Sequence, residues 1–198
     1  MRRPRATGGA RAIALAAAAA AAFVLPGPAR AWDAEWTANL ELGGGVDVDD
    51  GGEARNGRFV LGLHSDVMLF RGFSRDVGFG FTLDVESRGF DDLLATGGVG
   101  VLLPIHESFP FVLSGGAGVD ALTGDGVWFA RLWWGARNHN QSSPFSSTFG
   151  VFAEYDRAIT GDEAPSVLVG VSIDAWTLLW PFLLAYEALA VDQPPEVL

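Results

Sequence analysis

The pattern in this chain best suited to chemistry is His64-Ser65-Asp66. In an extended segment, residues two apart share a face. His64 and Asp66 then meet as an imidazole and a carboxylate, the pairing of a general base with its orienting acid. Ser65 points the opposite way, so their own segment supplies no nucleophile. His106-Glu107-Ser108 has the right residue types but falls in a predicted turn, where adjacency alone positions nothing. His139, between Asn138 and Asn140, reads as a solvated turn residue. The three histidines are too scattered to suggest a metal set. Asp49-Asp50 and Asp91-Asp92 are calcium-capable loop pairs, yet two adjacent acids are ordinarily just solvated. Gly43-Gly44-Gly45 and Gly115-Gly116 lie within predicted strands, where glycine marks a bend or close packing rather than a phosphate cradle. No catalytic, metal or cofactor site is therefore assigned, and the chain is not expected to be an enzyme.

Composition narrows the setting. The 198 residues include no cysteine, and the 13 basic residues, all arginine, face 24 acidic ones. Five of those arginines precede residue 32, so the remainder is strongly acidic. That argues against sequence-independent nucleic-acid binding, which needs a basic face. Apolar residues reach 49% and charged ones only 19%, which leaves much apolar surface to bury or to present to lipid.

The first 31 residues read as a signal peptide. Arg2, Arg3, Arg5 and Arg11 form a positive start, Ala12 to Leu25 an apolar run, and Ala29-Arg30-Ala31 a small-x-small cleavage site after Pro26-Gly27-Pro28. The run is shorter than the roughly 20 residues of a membrane-spanning helix. An exported chain without cysteine has neither disulfides nor thiolate metal sites.

After residue 31 the recurring signal is period-two alternation. In Val77-Gly-Phe79-Gly-Phe81-Thr-Leu83-Asp-Val85-Glu86 each odd position is large and apolar and each even one glycine or polar. This is a strand with two unlike faces. The same reading gives eight strands: 36–48, 58–70, 77–86, 96–105, 111–121, 127–137, 149–157 and 166 to about 178. Eight antiparallel strands leave two open edges unless the sheet closes.

The apolar face carries Phe59, Phe79, Phe81, Leu103, Trp128, Trp134 and Phe149, too bulky together for a small barrel's interior. The other face is rich in glycine. Aromatics such as Trp36, Phe70, Phe109, Phe111, Tyr155, Trp176 and Trp180 fall near strand ends, as in interfacial girdles. The expectation is therefore an all-β, eight-stranded antiparallel up-and-down transmembrane β-barrel over 32–182, apolar face outward, following a cleaved signal peptide (1–31).

With the glycine-rich Pro110-Phe-Val-Leu-Ser-Gly-Gly-Ala-Gly118, this organisation resembles the small outer-membrane β-barrels of Gram-negative bacteria, the OmpA-like and OmpW-like group. The resemblance implies fold and place far better than function. It implies outer-membrane lipid as surroundings, the N-terminus in the periplasm, and the links 49–57, 87–95, 122–126 and 158–165 outside, where an extracellular ligand or protein would be met. Enzymes on related barrels use serine with histidine, or aspartate with histidine. Here His64 and Asp66 face the lumen, away from such substrates.

The polar residues expected to line the lumen are Asn39, Glu41, His64, Asp66, Asp84, Glu86, Asp120, Arg131, Arg137, Glu154, Asp156 and Asp174. Charges inside a narrow barrel must pair. Arg131 is expected to pair with Asp120 and Glu154, giving a plugged lumen and a structural or surface-interaction role. A narrow cation-preferring passage is the alternative; a soluble periplasmic ligand-binding barrel, apolar face inward, is a further one. At the C-terminus, Trp176, Leu178, Trp180 and Phe182 alternate out of register with Val167–Ile173, which calls for a bulge. Residues 183–198 are left as a tail or short helix.

Overall fold

The computed structural model describes residues 34–48, 51–138, 145–160 and 164–191. Residues 1–31, which read as a signal peptide, Asp49-Asp50 and His139 lie outside the described residues. Eight strands form a closed antiparallel barrel in chain order: β1 (Glu35–Val48), β2 (Ala54–Leu69), β3 (Gly78–Arg88), β4 (Asp92–Leu103), β5 (Phe111–Asp120), β6 (Gly126–Arg137), β7 (Thr148–Ala158) and β8 (Ser166–Asp174). A helix, α1 (Ala175–Val191), follows β8 without a break. No helix among the described residues is long and apolar enough to cross a membrane, which says nothing of a barrel.

Following cross-strand partners once round the barrel fixes its stagger. Thr37 pairs with Asp66, then Thr82, Gly98, Gly116, Phe129, Asp156, Ser166 and finally Asp47. The circuit returns to β1 ten residues higher, Thr37 to Asp47. Such a shear over eight strands tilts them by about 40° and leaves an interior just wide enough for side chains.

The alternation resolves as apolar out, polar in. Phe59, Leu63, Phe81, Val99, Leu113, Trp134, Phe149 and Val169 are exposed on the wall. Between the ring of Trp36, Phe79, Phe111, Trp134 and Phe149 near the chain termini and that of Phe59, Trp128 and Tyr155 at the far end, the outward strand positions hold no charge. At ~3.3 Å per residue along tilted strands this band is about 15–20 Å tall. Ser65 and Ser87 interrupt it. The Ser65 hydroxyl donates to the Thr37 carbonyl (2.9 Å) and accepts from Trp36 Nε1 (2.8 Å). An inward apolar face, as a soluble binding barrel would need, is not what forms.

Three expectations are corrected. First, β8 stops at Asp174, and Trp176, Leu178, Trp180 and Phe182 belong to α1, not to a bulged strand. Asp174 is the reason: its Oδ1 accepts from the Trp176 amide (3.1 Å) and its Oδ2 from the Thr177 hydroxyl (3.1 Å), a helix N-cap.

Second, the far-end links are shorter than read. Residues 54–57 extend β2 and 92–95 extend β4, leaving 49–53, 89–91, 121–125 and 159–165. The β3–β4 link turns on Gly89 (φ 61°) and Phe90 (φ 67°), a left-handed pair that leaves the Phe90 ring stacked 6.1 Å from Phe59. The links at the terminal end, 70–77, 104–110 and 138–147, are the longer set.

Third, the interior is not merely glycine and charge. Met68, Leu102, Val112, Trp133 and Phe152 form a buried apolar cluster on the inward face. Glycine makes room for it. A Cβ on Gly150 would come within 2.7 Å of the Trp133 ring, and one on Gly170 within 2.6 Å of the Phe152 ring. Each aromatic ring packs against the glycine of the next strand.

β8 ends opposite Asn39, so the first residues of β1 lack a β8 partner. The segment before β7 fills the gap: Ser146 donates its amide to the Trp36 carbonyl (2.9 Å), and Phe145 stands edge-on to Trp36 at 5.4 Å. An edge that would invite pairing is thus covered.

Candidate functional site

The strands bring the interior charges into one column. All twelve polar residues expected to face the lumen are buried. Period two sets which side chains turn inward; the stagger sets which of them meet.

At the terminal end Glu35 lies between two arginines. Its Oε2 accepts from Arg71 Nε (3.0 Å) and its Oε1 from Arg137 Nε (2.5 Å). Arg71 also donates to the carbonyls of Ser74 (3.1 Å) and Asp76 (2.5 Å), tying down the 70–77 link. Arg137 then forks onto Asp66, with Nη1 to Oδ2 at 2.9 Å and Nη2 to Oδ1 at 2.7 Å. His64 follows, its Nε2 3.5 Å from Asp66 and its Nδ1 2.5 Å from Asp84. Both ring nitrogens therefore face carboxylates, leaving neither turned toward a substrate.

Arg131 occupies the middle. It pairs with Glu41, with Asp84 at 3.3 Å and with Glu154 at 3.4 Å. Its guanidinium sits 4.2 Å above the Phe152 ring, a cation–π contact in a desolvated setting. Glu154 hands the column on to Arg88 at 3.0 Å, and Arg88 also holds Glu86 (2.6 Å) and Asp156 (2.7 Å). At the far end Arg58 pairs with Asp47 (2.8 Å) and with Asp92, while the Ser166 hydroxyl donates to Asp47 (3.1 Å).

One expected pairing is corrected. Arg131 does meet Glu154, but not Asp120. The register puts Arg131 opposite Ser114 on β5, six residues from Asp120. The Asp120 carboxylate closes the far-end turn instead, accepting from the Leu122 amide (2.7 Å) and the Thr123 hydroxyl (3.2 Å). Asp174 is likewise spent on its helix cap, and Asn39 accepts from the Thr148 hydroxyl.

The expected lumen set lacked Glu35, Asp47, Arg71 and Arg88 as interior charges. Arg88 was legible: it continues the even-numbered inward face of Thr82, Asp84 and Glu86. Arg71 was not, because it folds back from a link.

Ten buried carboxylates stand against four buried arginines among the described residues. The excess is taken up by His64, by hydroxyls and amides, and by the partly exposed Arg58. Two small cavities interrupt the packing. One, at the far end, is lined by Arg58, Arg88, Asp92, Asp120 and Asp156; the other lies between His64, Asp66, Trp133 and Arg137. The Arg131–Glu154–Arg88 links stand between them.

The remaining candidates do not assemble. Glu107 pairs with Arg75 at the surface, and His106 Nδ1 accepts from the Ser108 amide at 3.2 Å. Among the described residues no group of three or more His, Cys, Asp or Glu is placed to hold a metal ion.

No family model and no curated protein matches this chain. Among solved structures it is similar to a de novo designed transmembrane β-barrel, at 8% identity over 70% of this chain and 95% of that one, with a TM-score of 0.41. It is similar to the outer membrane protein Ail of Yersinia pestis at 14% identity over 71% and 99%, TM-score 0.40. It is also similar to an S-type phycobiliprotein lyase of Guillardia theta at 9% identity over 70% and 86%, TM-score 0.35.

Proposed function

We propose that this chain is an integral β-barrel of a Gram-negative outer membrane, with a lumen sealed by its ion-pair column and a structural or surface-interaction role. The observation that carries the reading is the inversion of polarity: an uncharged apolar wall outside, a paired column of charge inside. Water on both faces would leave large aromatics such as Phe79, Phe81 and Phe149 exposed with nothing to cover them. Hydrocarbon covers them, and the aromatic rings that bound the band at both ends are those of outer-membrane-type barrels. The arginine-rich start and cleavage-site pattern of residues 1–31 support export. The far-end links are too short to build a large binding surface, so contact with other molecules falls to the wall and to the terminal end. No catalytic role is proposed.

Fractionation followed by electrophoresis with and without boiling tests the location. A faster-migrating unboiled band from outer-membrane fractions is expected. Recovery in the soluble periplasm with no heat shift overturns the reading. Planar-bilayer recordings test the seal: no discrete conductance steps are expected, and steps from the unmodified protein would favour the narrow-passage alternative.

A further inference from the structure

Among the described residues, helix α1 is the one element the barrel does not absorb. It starts at the terminal-end rim, where β8 yields to the Asp174 cap, and its main strand contacts are with β1 and β8. Its first turn is pinned to the wall by a chain of rings: Trp176 stands edge-on to Phe145 at 5.9 Å, and Phe145 edge-on to Trp36 at 5.4 Å. Trp36 belongs to the aromatic ring bounding the uncharged wall. The helix thus leaves the barrel at the edge of the band proposed to meet lipid, and an open groove lined by Trp36, Phe145, Trp176 and Trp180 runs between the two surfaces.

Up to Tyr186 its exposed side chains leave no charged side. Trp176, Leu178, Leu179, Trp180, Phe182 and Leu184 are all exposed. At 100° per residue they fall all round the axis. From Ala175 to Tyr186 the sequence holds no charge. A helix lying half-sunk at a membrane surface has one apolar and one polar face. A partner protein, or one second copy, covers one side and leaves the other wet. A surrounding apolar medium covers every side at once. The helix has 17 residues and is about 25 Å long, and Pro181 within it removes an amide donor and favours a bend.

We infer that α1 is immersed in the acyl chains of the leaflet at the terminal end of the barrel, as a second lipid-embedded element that enters this leaflet without crossing the membrane. The inference rests on the outer-membrane reading and goes beyond it: the lipid contact of this chain does not end with its strands.

The absence of native cysteine makes the test clean. Single cysteines are placed by Leu178→Cys, Leu179→Cys and Leu184→Cys, on three sides of α1, and by Val99→Cys on the barrel wall, in the full chain. Each variant is spin-labelled and reconstituted in phosphatidylcholine vesicles. Collision with oxygen is compared with collision with a water-soluble nickel chelate. All three helix labels are expected to favour oxygen, as the Val99 label does, with no dependence on the side of the helix. A helix label open to nickel on any side, with the Val99 label in lipid, overturns the inference and leaves the barrel reading standing. Dipolar broadening between helix labels of separate chains also overturns it, in favour of a second copy. A Val99 label open to nickel overturns the barrel reading itself.

Discussion

Arg137 of β6 grips Asp66 of β2 through two parallel N–H···O bonds of 2.9 and 2.7 Å, across a barrel interior from which both side chains are hidden from solvent. The pair is bidentate, and each member has a further partner, Glu35 and His64 respectively. Removing one partner leaves a buried charge uncompensated, at a cost of about 3–5 kcal/mol. Arg137→Ala is therefore expected to lower stability by that amount in urea titrations of the folded barrel in lipid. Arg137→Lys is expected to recover only part of it, because an ammonium does not reproduce the fork.

Arg131 predicts a gain rather than only a loss. Arg131→Ala leaves Glu41, Asp84 and Glu154 facing one another across the middle of the barrel. Water must enter to solvate them. The variant is expected to show small, cation-selective conductance steps that the parent lacks. A folded, heat-modifiable variant that stays silent would show that the apolar cluster around Trp133 and Phe152 seals the barrel without the arginine.

The interior glycines predict a packing effect. Gly150→Ala and Gly170→Ala set a methyl group against the Trp133 and Phe152 rings. Overpacking of this kind costs about 1–3 kcal/mol. An alanine at Gly57, where a Cβ meets nothing within 4 Å, is the matched control and is expected to change stability little.

Asp174 predicts a separable role for one of the interior acids. Asp174→Ala removes the cap and is expected to cost α1 about 1 kcal/mol, while Asp174→Asn retains most of it. Helical ellipticity should fall in the first variant with the heat-modifiable barrel intact.

The barrel was legible because its signal is strictly local: alternation along Val77–Glu86 says which side chains turn the same way whatever the rest of the chain does. What those inward side chains meet is not local. Arg131 reaches Glu41, ninety positions away, because closure and a ten-residue stagger bring β1 to that height. The same geometry takes Asp120 out of reach, though it lies nearer in sequence.

The C-terminal misreading has a different cause. Trp176-Thr-Leu178-Leu-Trp180-Pro-Phe182 satisfies a period of two, yet a helix apolar all round satisfies any period. The deciding signal was Asp174 with Thr177 three residues on, a cap rather than a side-chain pattern. Met68, Trp133 and Phe152 were overlooked because only the bulky residues on the outward face were weighed.

The column also constrains how the barrel can come into being. Its members alternate in space but not in order of synthesis. Glu35, Glu41, Asp47, Asp66 and Asp84 all precede Arg88, the first arginine buried within a strand, and Arg131 and Arg137 arrive only with the sixth. In a growing sheet of the first few strands Arg58 and Arg71 can serve Asp47 and Glu35, but acids still outnumber arginines, and Glu41 and Asp66 must wait for Arg131 and Arg137. No contiguous half of the sheet is electrically content alone. The barrel therefore has reason to stay open and hydrated until nearly all of it is present, then to close in a single step, so that closing the ring and expelling the water become one event.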